Sequence, residues 1–212
     1  MESRTYLRNA LQKKQPGLGF WCTTVYRLNR SGDGRIQLVT AAGASPIIRV
    51  PWNEEWMIKR ALDAGAHGVM TPMCHTAADA QKIVQYSKYP PTGSRGYGPM
   101  FCPPMFGCKA SEYDSQADDK LLVFVQIESP QGISNVEEIA KVPGLDVLFI
   151  AAHDAGKVAA IFCPNGQVAK KRLDQGFDMV SIAVDGACLA AEMERQMGFA
   201  TGTTKTGDRS YS

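Results

Sequence analysis

Three polar side chains interrupt two of the most apolar segments of this 212-residue sequence. Arg49 lies near the end of the run PIIRVP, and Gln126 and Glu128 alternate with Val125 and Ile127 at the end of LLVFVQIE. Because alternate residues of a strand share one face, Gln126 and Glu128 are expected to point the same way. A carboxylate, an amide and an arginine together suit a hard divalent cation and a small oxoacid. An internal Arg–Glu ion pair that fills a barrel is an equally good interpretation of this spacing.

Four further residues give weaker signals. Trp21 ends the first apolar run, where contact with a substrate competes with a role in the core or at the rim. His67 precedes its strand, which predicts a structural residue at the bottom of a barrel, whereas His75 follows GVMTPM and is predicted to be a solvated loop residue at the mouth. Arg95, in GSRGYG, could close over an anion, although loop arginines are more often surface charges.

Seven apolar runs predict the strands that must position these residues. They cover residues 17–22, 46–51, 68–73, 121–128, 146–151, 157–163 and 178–184. Strands that alternate with helices indicate a parallel α/β fold, most simply a (β/α)8 TIM barrel. A closed barrel needs eight strands and about 250 residues, so this sequence predicts an incomplete barrel of about seven strands. Residues 1–200 are predicted to form this single domain, followed by a polar tail over residues 201–212.

Helix signals lie between the predicted strands. They comprise the apolar spacing of Leu7, Ala10 and Leu11, an N-cap at Asn53, a capping box of Thr76 and Asp79 before helix 77–88, a second capping box of Ser134 and Glu137, helix 165–175, and a helix from Asp185. Residues 27–35 and 90–119 carry loop signals. In such a fold the functional residues lie at the C-terminal ends of the strands, which is where Arg49, Gln126 and Glu128 occur.

The composition excludes some classes of partner. The formal net charge is +2, and Lys and Arg are scattered, which argues against a nucleic-acid surface. The sequence has no apolar run long enough for a membrane span, and its N-terminus does not resemble a signal peptide. The six cysteines form no C-x-x-C pair. They predict reduced thiols in a cytoplasmic protein rather than disulfides or a zinc site.

One connection is too short for the repeating pattern. Only residues 151–156 separate the two buried runs around them. A parallel crossover normally needs a dozen or more residues, and six extended residues span at most ~20 Å. The sequence therefore predicts an antiparallel hairpin or an irregular segment here, with one strand lost from the barrel.

Three long segments resemble one family of enzymes. IIRVPWNEEWMIKRALDAGAHGVMTPM, YPPTGSRGYG and VQIESPQGISNVEEIAKVPGLDVLFI are similar to the class II pyruvate aldolases, the HpcH/HpaI aldolase family, over most of residues 41–150 and again over 151–190. Members include 4-hydroxy-2-oxoheptanedioate aldolase, 2-dehydro-3-deoxyglucarate aldolase and macrophomate synthase. The resemblance implies an oligomeric barrel of the phosphoenolpyruvate/pyruvate type that binds Mg²⁺, Mn²⁺ or Co²⁺. It also implies a lyase that cleaves or forms a carbon–carbon bond of 4-hydroxy-2-oxo acids, with pyruvate and an aldehyde as partners.

The resemblance also implies roles for individual residues. Glu128 would be a metal ligand, and Gln126 would contact pyruvate or a bound water. Arg49 would hold the keto oxygen and stabilise the enolate. These roles agree with the chemistry, since a fixed cation and a guanidinium act where negative charge develops.

Two parts of the family pattern are missing. The second strand of the family carries a Glu-His signature that supplies the catalytic base, but residues 22–45 contain no histidine. The family also follows LFI with Gly-Pro-x-Asp-Leu, whose Asp is the second metal ligand, and then with a long crossover. Here LFI runs directly into AAHDAGK, which matches the end of the crossover helix. An ungapped count from Glu128 instead places Asp154 at the second ligand.

Two hypotheses therefore remain. In the first, the chain is a metal-dependent aldolase that acts on pyruvate-containing acids. In the second, it is a catalytically impaired or inactive remnant of that family, such as a truncated paralogue, a splice product or an incorrect gene model.

Overall fold

A computed structural model describes residues 6–21, 34–149 and 158–202. The described residues form seven strands, which agree with the seven predicted runs to within a few residues. They are β1 (Gly17–Trp21), β2 (Ile47–Arg49), β3 (Gly68–Thr71), β4 (Leu122–Gln126), β5 (Val147–Phe149), β6 (Val158–Phe162) and β7 (Met179–Val184).

The strands form one parallel sheet in the order β1-β7-β6-β5-β4-β3-β2. Every pairing between neighbouring strands in this sheet is parallel. Within the part of the chain that the structure describes, β1 and β2 are the edges, so the barrel is incomplete between them. The predicted fold class is confirmed.

The predicted hairpin between β5 and β6 is wrong. The two strands are parallel neighbours, with Val147 opposite Val158 and Phe149 opposite Ala160. The error lay in the length assumed for the connection, because eight residues rather than six separate Phe149, where the described part of β5 ends, from Val158. In the sheet Val158 lies two residues back and one strand across from Phe149, a distance of about 8 Å. Residues 150–157 lie outside the described residues.

Helices occupy most of the segments between the strands. They are α1 (Tyr6–Gln12), α2 (Gly34–Ala41), α3 (Glu55–Asp63), α4 (Ala77–Ser87), α5 (Cys102–Phe106), α6 (Ala110–Lys120), α7 (Pro130–Ser134), α8 (Val136–Ala140), α9 (Gly166–Asp174) and α10 (Asp185–Ala200). The predicted loop over residues 90–119 is wrong in part, because it contains α5 and most of α6. The predicted loop 27–35 lies outside the described residues up to residue 33, and α2 already begins at Gly34.

The helix termini show which of the predicted caps form. The capping box of Thr76 and Asp79 is confirmed, since each side chain accepts a hydrogen bond from the other residue's backbone N–H. Asn53 is not the N-cap of α3, which is Glu54. The second predicted capping box is also wrong, because the N-cap of α8 is Asn135, whereas Ser134 is the last residue of α7 and its Oγ donates to the carbonyl oxygen of Pro130 at 3.0 Å.

The sheet separates two hydrophobic clusters. Inside the barrel, side chains of alternate strand residues pack together with Leu7 and Leu11 of α1, so that this helix covers the bottom of the barrel. These inward-facing residues include Ile47, Met70, Leu122, Phe124, Val147, Phe149, Val158, Ala160 and Met179. The other face of strands β2 to β5 packs against helices α3, α4 and α8. This alternation fixes which strand residues point into the barrel.

Candidate functional site

The structure brings Arg49, Gln126 and Glu128 together at the C-terminal ends of β2 and β4. The Nε atom of Arg49 donates to Oε1 of Gln126 at 2.5 Å, and Nε2 of Gln126 donates to Oε1 of Glu128 at 3.4 Å. Gln126 is buried, whereas Arg49 and Glu128 are exposed. The buried amide therefore joins a guanidinium and a carboxylate that both remain accessible.

The tilt of the strands explains why Arg49 meets Gln126. In the hydrogen-bond register, Arg49 is level with Met70 of β3 and with Phe124 of β4. Gln126 lies two residues beyond Phe124 on β4, and β4 is two strands away from β2. This stagger of one residue per strand is that of a TIM barrel, in which alternate strands contribute to one layer of side chains.

The same stagger extends the layer around the sheet. From Gln126 it passes through Phe149 and Ala160 and reaches Phe162 of β6. From Phe162 the register passes through Ser181 to Gly19 of β1, after which the pairing of β1 with β7 shifts by one residue. Arg49 and Gln126, which the sequence offered separately, thus occupy one layer, whereas the side chain of Trp21 lies outside the part of the chain that the structure describes. Phe162 was missed, and only the inward alternation of its strand would have identified it.

The loop after β3 holds the carboxylate of Glu128. The backbone N–H of Met73 donates to Oε2 of Glu128 at 3.2 Å, and the N–H of Cys74 donates to the carbonyl oxygen of Gln126 at 3.0 Å. Met73 adopts a φ of 55°, a conformation that few residues other than glycine adopt. Such backbone strain is often found where a functional group must be oriented.

His75 lies beside this loop, and hydrogen-bonding contacts fix its position more firmly than expected for a solvated loop residue. Its Nδ1 atom lies 2.7 Å from Oγ of Ser129, and its carbonyl oxygen accepts from Nδ2 of Asn135 at 2.8 Å. The side chain is half-buried rather than freely solvated. The neighbouring Cys74 is buried, and burial raises the pKa of its thiol to about 12. This thiol is therefore not a nucleophile at neutral pH.

The donors at the mouth suit one side of a divalent-cation site. Glu128 supplies an exposed carboxylate that makes two long hydrogen bonds within the described ranges, at 3.2 and 3.4 Å, so lone pairs remain for a cation. Mg²⁺ is typically held by one or two carboxylates, with water and substrate oxygens completing its shell. The described residues contain no group of three or more His, Cys, Asp or Glu that could hold a metal. Asp154, the predicted second ligand, lies outside the described residues.

Two other predicted residues lie at the opposite end of the barrel. His67 is buried, with Nε2 2.9 Å from the carbonyl oxygen of Met105, and it packs against Phe106. Its predicted place at the bottom is confirmed. Arg95 is neither a surface charge nor a lid over an anion. Its side chain is fully buried and donates to Asp63 at 2.8 Å.

Comparisons with known proteins agree with this geometry. Residues 34–160 match the family model described as HpcH/HpaI aldolase/citrate lyase. The chain is 32% identical over 184 residues to a hydroxypyruvate/pyruvate aldolase from Rhizorhabdus wittichii, which covers 72% of each chain. It is 29% identical over 208 residues to a 4-hydroxy-2-oxo-heptane-1,7-dioate aldolase from Klebsiella pneumoniae, covering 84% of this chain and 78% of the relative. The crystal structure of an HpcH/HpaI aldolase/citrate lyase family protein from Burkholderia cenocepacia superposes with a TM-score of 0.75 at 25% identity, covering 92% and 98% of the two chains.

Proposed function

Because the chain belongs to the HpcH/HpaI aldolase/citrate lyase family, we propose that its barrel mouth binds a divalent cation and a 2-oxo acid. The proposed reaction cleaves or forms a carbon–carbon bond of a 4-hydroxy-2-oxo acid, with pyruvate or hydroxypyruvate as one product and an aldehyde as the other. The observation that carries this proposal is the hydrogen-bonded series of Arg49, Gln126 and Glu128. It aligns a cationic group and a carboxylate beside one opening.

Each residue of the layer has a defined task. Arg49 binds the keto oxygen of the acid, and its positive charge stabilises the enolate that forms when the bond breaks. Glu128 holds the cation, with Asp154 as the candidate second ligand. Gln126 orients Arg49 and contacts the acid or a bound water, and Trp21 is the candidate for a further contact with the substrate. A cation held by Glu128 would act as a Lewis acid on the bound acid.

A second candidate function is acid binding without aldol cleavage. In cleavage, the hydroxyl group at C4 loses its proton, the C3–C4 bond breaks, and its electron pair passes into the enolate. This step needs a base. The family's Glu-His signature is absent from residues 22–45, which favours a site that still stabilises an enolate but cannot generate it from a 4-hydroxy acid.

Two assays on the same protein separate these candidates. Pyruvate release from 4-hydroxy-2-oxo acids, with Mg²⁺, Mn²⁺ or Co²⁺, measures the full aldolase reaction. Pyruvate release from oxaloacetate measures enolate stabilisation alone, because loss of CO₂ generates the enolate without removal of a proton. Turnover in both assays supports the aldolase, and turnover only with oxaloacetate supports the second candidate.

The role of Glu128 is tested in the same assays. Glu128→Gln should abolish metal-dependent turnover, whereas Glu137→Gln, an exposed position on α8, should leave it unchanged. If neither substrate is turned over and neither the cation nor a 2-oxo acid binds, the proposed function is wrong.

We also propose that the chain forms a cytoplasmic homo-oligomer. Helix α10 exposes Met193 and Met197, which are 59% and 63% accessible, and the edge strands β1 and β2 lack a partner strand in the described part of the chain. Both features favour association. The five described cysteines are free thiols, which suits a reducing compartment. No helix within the described ranges is long and apolar enough to cross a membrane. Light scattering that shows a monomer at micromolar concentration would contradict the oligomer.

A further inference from the structure

A second layer of side chains lies directly beneath Arg49 and Gln126. This second layer comes from the alternate strands β3, β5 and β7. Their inward-facing residues lie one residue closer to the bottom of the barrel than the residues of the upper layer. In the described strands these are Met70 of β3, Phe149 of β5 and Ser181 of β7. One residue along a tilted strand corresponds to about 3 Å along the barrel axis. These three residues therefore form the floor of the mouth.

Ser181 is the polar member of this floor. Met179, two residues earlier on β7, belongs to the cluster inside the barrel, whereas Val180 packs outward against α9. By alternation, Ser181 faces inward. Its side chain is 4% exposed, and its hydroxyl has no hydrogen-bond partner among the residues that the structure describes. A buried hydroxyl without a partner is unfavourable and marks a position where a ligand or water completes the hydrogen bond.

The chemistry of a bound 2-oxo acid indicates which atom meets the floor. Its carboxylate carries the negative charge and its keto oxygen a partial negative charge, and both would face Arg49 and the cation that Glu128 would hold in the upper part of the mouth. The group at C3 is then the part of the acid that contacts the floor residues. This group is a methyl in pyruvate and a hydroxymethyl in hydroxypyruvate. Met70 and Phe149 suit either one, but only the hydroxymethyl group can pair with the hydroxyl of Ser181.

We propose that Ser181 binds the C3 hydroxyl of a 3-hydroxy-2-oxo acid and makes the site selective for hydroxypyruvate over pyruvate. This inference rests on the proposed function, because it assumes that the acid binds at Arg49 and Glu128. When pyruvate binds, the methyl group leaves the Ser181 hydroxyl unpaired, and a site built to bind a hydroxyl discriminates against the analogue that lacks it.

Calorimetric titration in the presence of Mn²⁺ tests the proposal without any need for turnover. The wild-type protein should bind hydroxypyruvate more tightly than pyruvate. Ser181→Ala should weaken hydroxypyruvate binding by about fivefold to tenfold, the effect of one neutral hydrogen bond, and should leave pyruvate binding unchanged or slightly tighter. The ratio of the two affinities is the readout, because a general loss of folding would lower both together.

A matched control is available in Ser87. This serine is also buried, but its hydroxyl donates to the carbonyl oxygen of Ile83 within α4, away from the barrel interior. Ser87→Ala should leave the affinity ratio unchanged. If Ser181→Ala binds both acids with the wild-type ratio, the inference about Ser181 is wrong while the proposed function stands. If the wild-type protein binds neither acid, both are wrong.

Discussion

Arg49 and Gln126 are joined by a hydrogen bond of 2.5 Å that crosses the intervening strand β3. The bond uses Nε of the guanidinium, and among the described residues no other hydrogen bond holds this side chain. The two terminal nitrogen atoms of Arg49 are thus available to a ligand, while the buried amide fixes the plane of the guanidinium.

Replacement of Arg49 should weaken acid binding strongly. Arg49→Ala removes a charged donor to the acid's oxygens, so the affinity for pyruvate or oxalate with Mn²⁺ should fall by about tenfold to a hundredfold. Arg49→Lys should recover only part of this loss, because lysine lacks the planar fork that reaches Gln126 and the ligand together. Calorimetry that gives equal affinities for wild type and Arg49→Ala would show that Arg49 does not contact the acid.

The buried ion pair at the other end of the barrel should affect stability. The guanidinium of Arg95 lies over the ring of Tyr89, 4.5 Å from its centroid, and donates to Asp63. Asp63→Asn removes the compensating charge from a fully buried cation, which should lower the free energy of unfolding by about 3 kcal/mol.

Urea unfolding followed by circular dichroism measures this effect. The control is Asp174→Asn on α9, whose ion pair with Lys170 is exposed and should contribute no more than about 0.5 kcal/mol. Equal unfolding midpoints for the two variants would contradict the assignment of Asp63 as the essential counter-charge.

The sequence predicts the sheet well because its signals are local. Each strand is a short apolar run, and Gly65 and Gly176 stand where α3 and α9 end, with φ values of 99° and 96°. The period-2 spacing of Gln126 and Glu128 also places both at the mouth. The proximity of Arg49 follows only from the barrel stagger, which periodicity alone does not supply.

The errors have physical causes that lie in long-range packing. Arg95 was predicted to be a loop arginine because its hydrogen-bond partners Asp63 and Tyr113 lie 32 and 18 residues away in the sequence. The same predicted loop contains α5 and most of α6, whose apolar residues pack locally around Tyr113 and Phe106. The Pro and Gly residues of this segment led to the prediction of a loop instead of these helices. The connection between β5 and β6 was misjudged because it was counted as six residues, whereas eight separate the described parts of the two parallel strands.

Acid should destabilise the fold through His67. Burial lowers the pKa of this side chain from 6.5 to about 4, despite its hydrogen bond with the carbonyl of Met105. Between pH 6.5 and pH 4 the unfolded chain binds a proton that the folded chain does not, so stability falls as the pH falls. The total contribution of this group is about 3 kcal/mol. In His67→Gln, the free energy of unfolding should depend less steeply on pH across this range, and equal slopes in the two proteins would contradict the prediction.

The loop that carries Arg95 should tolerate no side chain at Gly93. A Cβ atom at this position would overlap the carbonyl oxygens of Gln85 and Lys88. Those oxygens accept hydrogen bonds from the backbone N–H groups of Ser94 and Arg95, at 2.8 and 2.9 Å. Gly93→Ala must therefore displace the backbone that positions Arg95, and it should lower the free energy of unfolding by about 2 kcal/mol or more.

Gly166 provides the matched control for this substitution. It is the first residue of α9, and a Cβ atom there meets nothing within 4 Å. Gly166→Ala should be neutral or slightly stabilising, since alanine restricts the unfolded chain more than glycine does. Because Gly93 lies at the end of the barrel opposite to Arg49, the folded fraction of Gly93→Ala should keep the wild-type affinity for 2-oxo acids. Equal midpoint temperatures of thermal unfolding for Gly93→Ala and Gly166→Ala would show that the loop can accommodate the side chain without loss of stability.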